Sequence, residues 1–466
     1  MRSQLRIALV LAVTATVAMP VGGIAQAGSA RVATAGDRHG SSQSRSNAVV
    51  DWNATATQAA VTSGMSPNLN PLGESRLYAM MAIATHDALN GIDRRYRPYI
   101  HQDLHARPWA SPDAAVAAAA RNVLVPGLQE LKPSVPDPQA VANAIAVVEL
   151  AYTRALAAIP DGPAKTSGIS TGTAAAAAVI ELRSSDKSNQ VLLVDPAYPQ
   201  GDQPGEWRFT SDPGFAFAPD WGTVTPFVLK DSSQFAPPGP YPVTSARYAK
   251  DYNEVKRLGG DADTGSQRTP DQTQIALFWV GSSPYQWNSI ARTLSAKQHL
   301  DLWQSARLFG LLNIAMADGY IGSFATKFSV NYWRPVTAIR EGNADGNPAT
   351  TGNLKWNPLA PTPPIPDYDS GHAVEGGTAA AVFRRFFEKD AVGFSVCSIT
   401  LPDPNQRCGG SSQVLRHYSR FSQAAAENGE SRILVGYHFR KAVKDGIVHG
   451  TKIGDRAVSL FLRRSR

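Results

Sequence analysis

The stretch KFSVNYWRPVTAIR, residues 327–340, closes a long apolar run, AKQHLDLWQSARLFGLLNIAMADGYIGSFATKF at 296–328. The run has helical rather than alternating periodicity and predicts a helix. Lys327 and Arg334 lie seven residues apart, and Pro335 stops the arginine's segment. Seven residues is close to two α-helical turns, so on one helix both cations would share a face. Taken alone, two such residues are ordinary solvated charges. Held side by side, they repel unless an anion lies between them.

Working outward gives more elements of the same kind. ESRLYAMMAIATHDALNGI (74–92) places Leu77, Met80, Ala84 and Ala88 on one stripe, with Gly91 near its end. DPQAVANAIAVVELAYTRALAAIP (137–160) is helical up to Pro160, and STGTAAAAAVIELRSS (170–185) follows. SARYAKDYNEVKRLG (245–259) and TPDQTQIALFWV (269–280) resume the pattern. The many alanines favour close helix packing. Strand-like alternation is scarce and no fixed repeat occurs, so the expected fold is all-α, a helical bundle. Residues 195–243 differ, being dense in Pro, Gly and aromatics. They predict an ordered irregular insertion anchored by Trp207, Phe209, Trp221 and Phe227.

The chain has 466 residues, 43% hydrophobic and 18% charged, ordinary values for a globular protein. A net charge of +7 and a pI of about 9.3 suit an anionic ligand. No Lys/Arg block resembles a nucleic-acid arm, so nucleic acid is not an expected partner. At the N-terminus, MRSQLR precedes the apolar IALVLAVTATVAMPVGGIA and the small residues AQA at 25–27. This pattern predicts a signal peptide over 1–27 and a secreted protein. Residues 28–50 read as a flexible linker, 51–230 as an N-terminal helical region and 231–466 as a C-terminal one. No later segment reaches the roughly 18 uninterrupted apolar residues that suggest a membrane span. Cys397 and Cys408 bracket SITLPDPNQR. In an oxidising compartment they predict a disulfide worth roughly 3 kcal/mol.

Two further segments give the cations of 327–340 a context. In PPIPDYDSGHAVEGGTAAAVFRRFFEKD (363–390), a Pro-rich approach leads into a plain helical run. Ser370, Gly371 and His372 then stand at a helix N-terminus, where free N–H groups and the positive dipole end attract an anion. In SRILVGYHFRKAVKDG (431–446), six residues separate Arg432 from His438. A straight helix would not put them on one face, and they meet only through a turn such as Gly436 permits. Either segment alone also reads as an ordinary capped or basic helix. Together the three supply three cations, a Ser-Gly helix start and two histidines. That inventory suits a tetrahedral or trigonal-bipyramidal oxyanion.

The arrangement resembles the vanadium-dependent haloperoxidases and the related type-2 phosphatidic acid phosphatases and bacterial acid phosphatases. Their pattern is K-x6-R-P, then P-S-G-H, then S-R-x5-H. Here it reads Lys327 to Arg334-Pro335, Ser370-Gly371-His372, and Ser431-Arg432 to His438. NYWRPVTAIR and RLYAMMAIATHDALNGIDRRYRPY (76–99) also look like the long secreted bacterial haloperoxidases. The resemblance implies a vanadate cofactor with His438 as the vanadium ligand. Lys327, Arg334, Arg432, Ser370 and the Gly371 N–H would hold the oxygens. His372 would take a proton from hydrogen peroxide, and Lys327 would polarise the oxidant that a halide then attacks. The halide product or an organic acceptor completes the reaction. The same site could instead hydrolyse a phosphomonoester through a phosphohistidine at His438, or bind an oxyanion without turnover. Two departures stand out. Asp369 replaces the proline of P-S-G-H, and Ala442 occupies the place, four residues after the second histidine, where many relatives carry aspartate. Asp445 lies seven residues after it, and Asp318 is an expected partner for one of the arginines.

Overall fold

The computed structural model describes residues 47–66, 70–131, 137–194, 198–401, 408 and 412–465. The expected signal peptide, residues 1–27, and residues 28–46 of the expected linker lie outside them. Residues 48–50, placed in that linker by the sequence, are helical instead. Helix α1 (Ala48–Thr62) starts inside it because the Asn47 side chain accepts from Val50 N at 3.2 Å, and Val49 and Trp52 are buried.

Four more helices follow: α2 (Pro71–Ile92), α3 (Pro112–Glu130), α4 (Pro138–Ala157) and α5 (Pro163–Arg183). Each has proline in its first turn, where the missing N–H is not needed. Helix α3 was not among the predicted elements. Its run Ala114 to Ala120 shows no amphipathic stripe because it is buried on every side. The C-terminal part holds α6 (Ala246–Leu258), α7 (Pro270–Phe278), α8 (Ser283–Lys297), α9 (Leu302–Val330), α10 (Pro335–Arg340), α11 (Gly371–Phe387), α12 (Phe421–Leu434) and α13 (Arg440–Leu460). The helix expected over 296–328 is interrupted at 298–301. There Asp301 and Gln304 cap one another's backbone and start α9 afresh. Two short antiparallel pairs complete the described chain. β1 (Leu193–Val194) pairs with β2 (Ala216–Phe217), and β3 (Phe394–Cys397) with β4 (Leu415–Tyr418). Cys397 at the end of β3 is disulfide-bonded to Cys408.

Helix α9 is the central post. It packs on α2, α11 and α13, and its side chains from Ser305 to Phe324, Arg307 excepted, are buried. Among the described residues, two helices are long and apolar enough to cross a membrane. For α9, 94% of the apolar window is buried inside the bundle, and for α4 17% is. One buried cluster runs from Leu77 and Ile83 of α2 through Leu308, Phe309 and Leu312 of α9 to Val374 and Phe383 of α11. The residues on either side of position 230 therefore share a core.

Helices α11 and α13 cross with backbones nearly touching. Gly446, Gly450 and Gly454 recur every fourth residue on α13, and a Cβ at Gly450 would lie 1.9 Å from Val374 O. That approach brings the start of α11 against the start of α13, where Ser370 N donates to Ala442 O at 3.1 Å. The irregular insertion is anchored as expected by buried Trp207, Trp221 and Phe227, with Phe209 half-buried. The Asp318 carboxylate of α9 fastens it, accepting from Phe227 N, Val228 N and Leu229 N at 2.6–2.7 Å. Asp318 is thus not the arginine partner expected from the sequence. Burial lifts its carboxyl to about 6, and three amides rather than a guanidinium satisfy it.

Candidate active site

Lys327 and Arg334 do not share a helix. Asn331 takes the left-handed conformation with φ of 51° and ends α9, while Arg334 is the N-cap of α10 before Pro335. The turn nevertheless leaves both side chains buried and pointing at one place. Lys327 Nζ donates to Pro366 O at 2.9 Å and Asp367 O at 3.0 Å. Arg334 Nε donates to Ile365 O at 2.6 Å, and Nη1 to Tyr437 O at 2.9 Å. Backbone carbonyls of the 365–367 approach thus seat two cations.

The third cation comes from the end of α12. Arg432 is 1% exposed, and its Nε donates to Ser431 Oγ at 3.1 Å. The helix stops at Leu434. Gly436, with φ of +85°, then turns the chain so that Tyr437 N and His438 N both donate to Arg432 O. A Cβ at Gly436 would also meet Gly259 O at 2.5 Å. His438 returns by this turn to face Arg334, with Nε2 3.0 Å from Arg334 Nη1. Its other nitrogen, Nδ1, lies 2.8 Å from Asp367 Oδ1. Asp367 was not among the predicted site residues.

Ser370 is the N-cap of α11, but its side chain makes no capping bond. Gly371 follows, and a Cβ there would lie 3.7 Å from Ser323 Oγ and 4.0 Å from Lys327 Cε. The α11 N-terminus therefore faces the lysine directly. His372 Nε2 lies 3.0 Å from Gly281 O, to which it donates, leaving Nδ1 with the lone pair. Asn428 Nδ2 holds the His372 carbonyl at 3.0 Å. Gly371 and His372 are half-buried whereas Lys327, Arg334, Ser370 and Arg432 are fully buried, so the cluster opens on the Gly371–His372 side.

Electrostatically the cluster is unbalanced, with three cations set against one contacting carboxylate. Burial and the Arg334 charge push Lys327 down to about 7. Burial takes Arg334 and Arg432 down to about 10. Burial lifts Asp367 to about 7, against the pull of Arg334 and Lys327. Both histidines are held well below their ordinary value, first by burial and then by the neighbouring cations. Each buried ion is disfavoured by several kcal/mol unless a counter-charge meets it. Three donors of the cluster have no hydrogen-bond partner in the described structure: Arg334 Nη2, Arg432 Nη2 and Ser370 Oγ. Buried donors left open in this way want an acceptor. An oxyanion such as vanadate or phosphate fits, because it offers several oxygens and the missing negative charge.

Asp369 does not pair with Lys327 or an arginine. It is fully buried, accepts from Ser323 Oγ at 2.8 Å, and lies 2.8 Å from His449 Nδ1. These two partners, on α9 and α13, take its carboxylate away from the open donors. Asp445 does not touch His438. Its Oδ2 accepts from Tyr368 Oη and from Lys441 Nζ, both at 2.5 Å, which steadies the loop between Asp367 and Asp369. Asp367, Ser323 and His449 were missed because their partners lie far along the chain. The one signal available was PDYDSGH itself, with two carboxylates just before the glycine, and nothing local says which faces what.

Residues 307–465 match the family model of the VCPO second helical-bundle domain. A vanadium chloroperoxidase of Curvularia inaequalis is 26% identical over 307 residues, 54% of this chain. The chain spans about half, 49%, of that relative's length. The fold is similar to that of a bacterial vanadium-dependent iodoperoxidase, with TM-score 0.69, 22% identity, and 90% of this chain and 97% of the other covered. It is also similar to that of a bacterial vanadium-dependent chloroperoxidase in its apo form, with TM-score 0.65, 16% identity, and 84% and 94% covered. The three cation segments all lie inside the region that matches the VCPO second helical-bundle domain, within a chain that has the vanadium haloperoxidase fold.

Proposed function

We propose that this chain is a vanadate-dependent haloperoxidase-like enzyme that oxidises halide with hydrogen peroxide. The observation carrying the proposal is the set of open donors, Arg334 Nη2, Arg432 Nη2 and Ser370 Oγ, beside His438, whose Nε2 faces the Arg334 guanidinium at 3.0 Å. The matched chloroperoxidase and the likeness to two haloperoxidase structures support it. The apolar N-terminal run and the Cys397–Cys408 disulfide support an extracellular site of action.

Vanadate, when bound, supplies an electrophilic centre at which peroxide is activated without an electron-transfer partner. Lys327, Arg334, Arg432, Ser370 Oγ and the Gly371 N–H would hold its oxygens, and His438 Nε2 would be the protein's bond to vanadium. His372 is held neutral at ordinary pH by burial and by Arg432. Its Nδ1 is the basic nitrogen, since Nε2–H is given to Gly281 O. A neutral imidazole at the open side of the cluster can accept a proton from incoming hydrogen peroxide. Lys327 lies against Gly371, where its ammonium can withdraw electrons from an oxygen held at the helix start.

The test divides the purified, anion-stripped protein. One half receives orthovanadate, bromide, hydrogen peroxide and a phenolic dye, and the other a phosphomonoester without vanadate. Dye bromination is expected in the first. It disappears in His438→Ala, while His372→Ala retains vanadate but loses most turnover. Phosphomonoester hydrolysis without bromination would assign the same donors to a phosphatase. Vanadate binding with neither reaction would leave an oxyanion-binding protein.

A further inference from the structure

Position 442 lies four residues after His438, in the first turn of α13, and holds alanine. Its side chain brings no acceptor to the imidazole. The imidazole nevertheless has one. Asp367 Oδ1 is 2.8 Å from His438 Nδ1, and 71 residues of chain separate the two. We propose that Asp367 is the positioning residue of His438, supplying from the α11 approach the carboxylate that position 442 lacks.

The two nitrogens of His438 are constrained by groups that cannot exchange roles. Arg334 can only donate, so Nε2, at 3.0 Å from Nη1, must carry the lone pair. Above about pH 7 Asp367 is ionised and can only accept, so there Nδ1 must carry the hydrogen. Both contacts select one tautomer, the one that points a lone pair at the open donors. Asp367 is itself fixed at both ends. Its N–H donates to Tyr332 O at 2.8 Å and its carbonyl accepts from Lys327 Nζ at 3.0 Å. The next residue, Tyr368, is tied by its hydroxyl to Asp445. The carboxylate therefore arrives on a backbone already anchored to the lysine and to the Tyr332 carbonyl.

The two positions face one pocket. Asp367 and Ala442 line it together with Tyr241, Tyr248, Tyr332 and Phe439, and truncating Asp367 would free the space its carboxylate fills. Asp367 Oδ2 has no hydrogen-bond partner there. A carboxylate at 442 would enter this cavity from α13, in a first helical turn where negative charge is favoured. The side chain that orients the histidine can thus be moved from one segment to the other.

This inference deepens the oxyanion-site reading, and its first readout does not depend on that reading. Nitrogen-15 NMR of the anion-free protein above about pH 7 should show His438 as the Nδ1–H tautomer. Asp367→Ala should mix the tautomers and weaken orthovanadate binding about tenfold, the lower end of what losing such a partner costs. Adding Ala442→Asp to that variant should return both the Nδ1–H signal and most of the affinity. If Asp367→Ala does not fold, Asp367→Asn, which keeps the volume but can donate as well as accept, should show the same mixing. Retention of a pure Nδ1–H tautomer in these variants overturns the proposal. So does a folded double variant that recovers neither signal nor affinity. A tautomer that responds as expected in a protein that never halogenates leaves the positioning role intact and sinks only the haloperoxidase reading.

Discussion

Lys327 is the residue whose environment most directly predicts behaviour. Its ammonium is 1% exposed, and burial with the Arg334 charge brings it down to about 7. A bound anion favours the charged form, so it raises this value. Above about pH 7 the anion-free lysine is neutral and must take up a proton when the anion enters. Affinity then falls by up to about tenfold per pH unit as pH rises, and is insensitive to Lys327 below about 7. Sulfate, whose own charge is constant over this range, is the probe, titrated calorimetrically in buffers of different ionisation enthalpy. Proton uptake on binding at pH 8 should be substantial and should shrink in Lys327→Met. A binding constant that does not change with pH would remove the lysine from the anion's surroundings. Asp369, two residues from Asp367, is instead held by Ser323 and His449 against α9 and α13.

At the scale of elements, the crossing of α11 and α13 decides where the oxyanion donors stand. Ser370, Gly371 and His372 lead into one helix, and His438 into the other. The glycine stripe of α13 lets the two backbones approach until Ser370 N reaches Ala442 O. Arg440 secures the start of α13 to its neighbours by ion pairs with Glu254 of α6 and Glu430 of α12. Gly450→Ala would set a methyl 1.9 Å from Val374 O and 2.8 Å from Thr378 N, both backbone atoms that cannot rotate away. The helices must part. The expected loss is about 3 kcal/mol of stability, at the upper end for overpacking, with weaker sulfate binding in the protein that still folds. Lys452→Ala, on the exposed side of the same helix, should change stability by less than about 0.5 kcal/mol. Denaturant titration of both variants checks this. Equal stability of Gly450→Ala and the parent would mean that the crossing is not close.

For the molecule as a whole, the domain that matches a known family is not a self-sufficient body. Residues 307–465 carry the three cation segments, yet most of α9 lies within them and is buried partly against α2. Cutting the chain at 307 would expose Phe309, Leu312 and Met316, each worth roughly 1.5–3 kcal/mol when buried. It would also release the insertion that Asp318 holds through three amides. We expect the fragment 307–465 to lack a cooperative thermal transition by circular dichroism and to bind a hydrophobic dye, while the full chain melts in one step. A cooperative transition in the fragment would show that the N-terminal helices are dispensable.

The sequence by itself determined the helical class, the anchors of the insertion and which residues gather at the candidate site. These are short-range properties. Apolar period, proline and glycine stops and the helix start at Ser370-Gly371 each act within a few residues, and so are written in the chain in order. It misjudged the element that joins Lys327 to Arg334, because a left-handed Asn331 breaks a run whose periodicity alone would continue. It did not reveal α3, whose alanines are buried all round and carry no stripe. Only the tertiary structure decided which carboxylate serves which partner. Asp318 went to backbone amides, Asp369 to Ser323 and His449, Asp445 to Tyr368 and Lys441, and Asp367 to His438. A buried carboxylate must be satisfied by whichever donors the packing brings within about 3 Å. That choice is made where helices cross, between residues 71 and 80 positions apart in the cases of His438 and His449, and no local pattern records it.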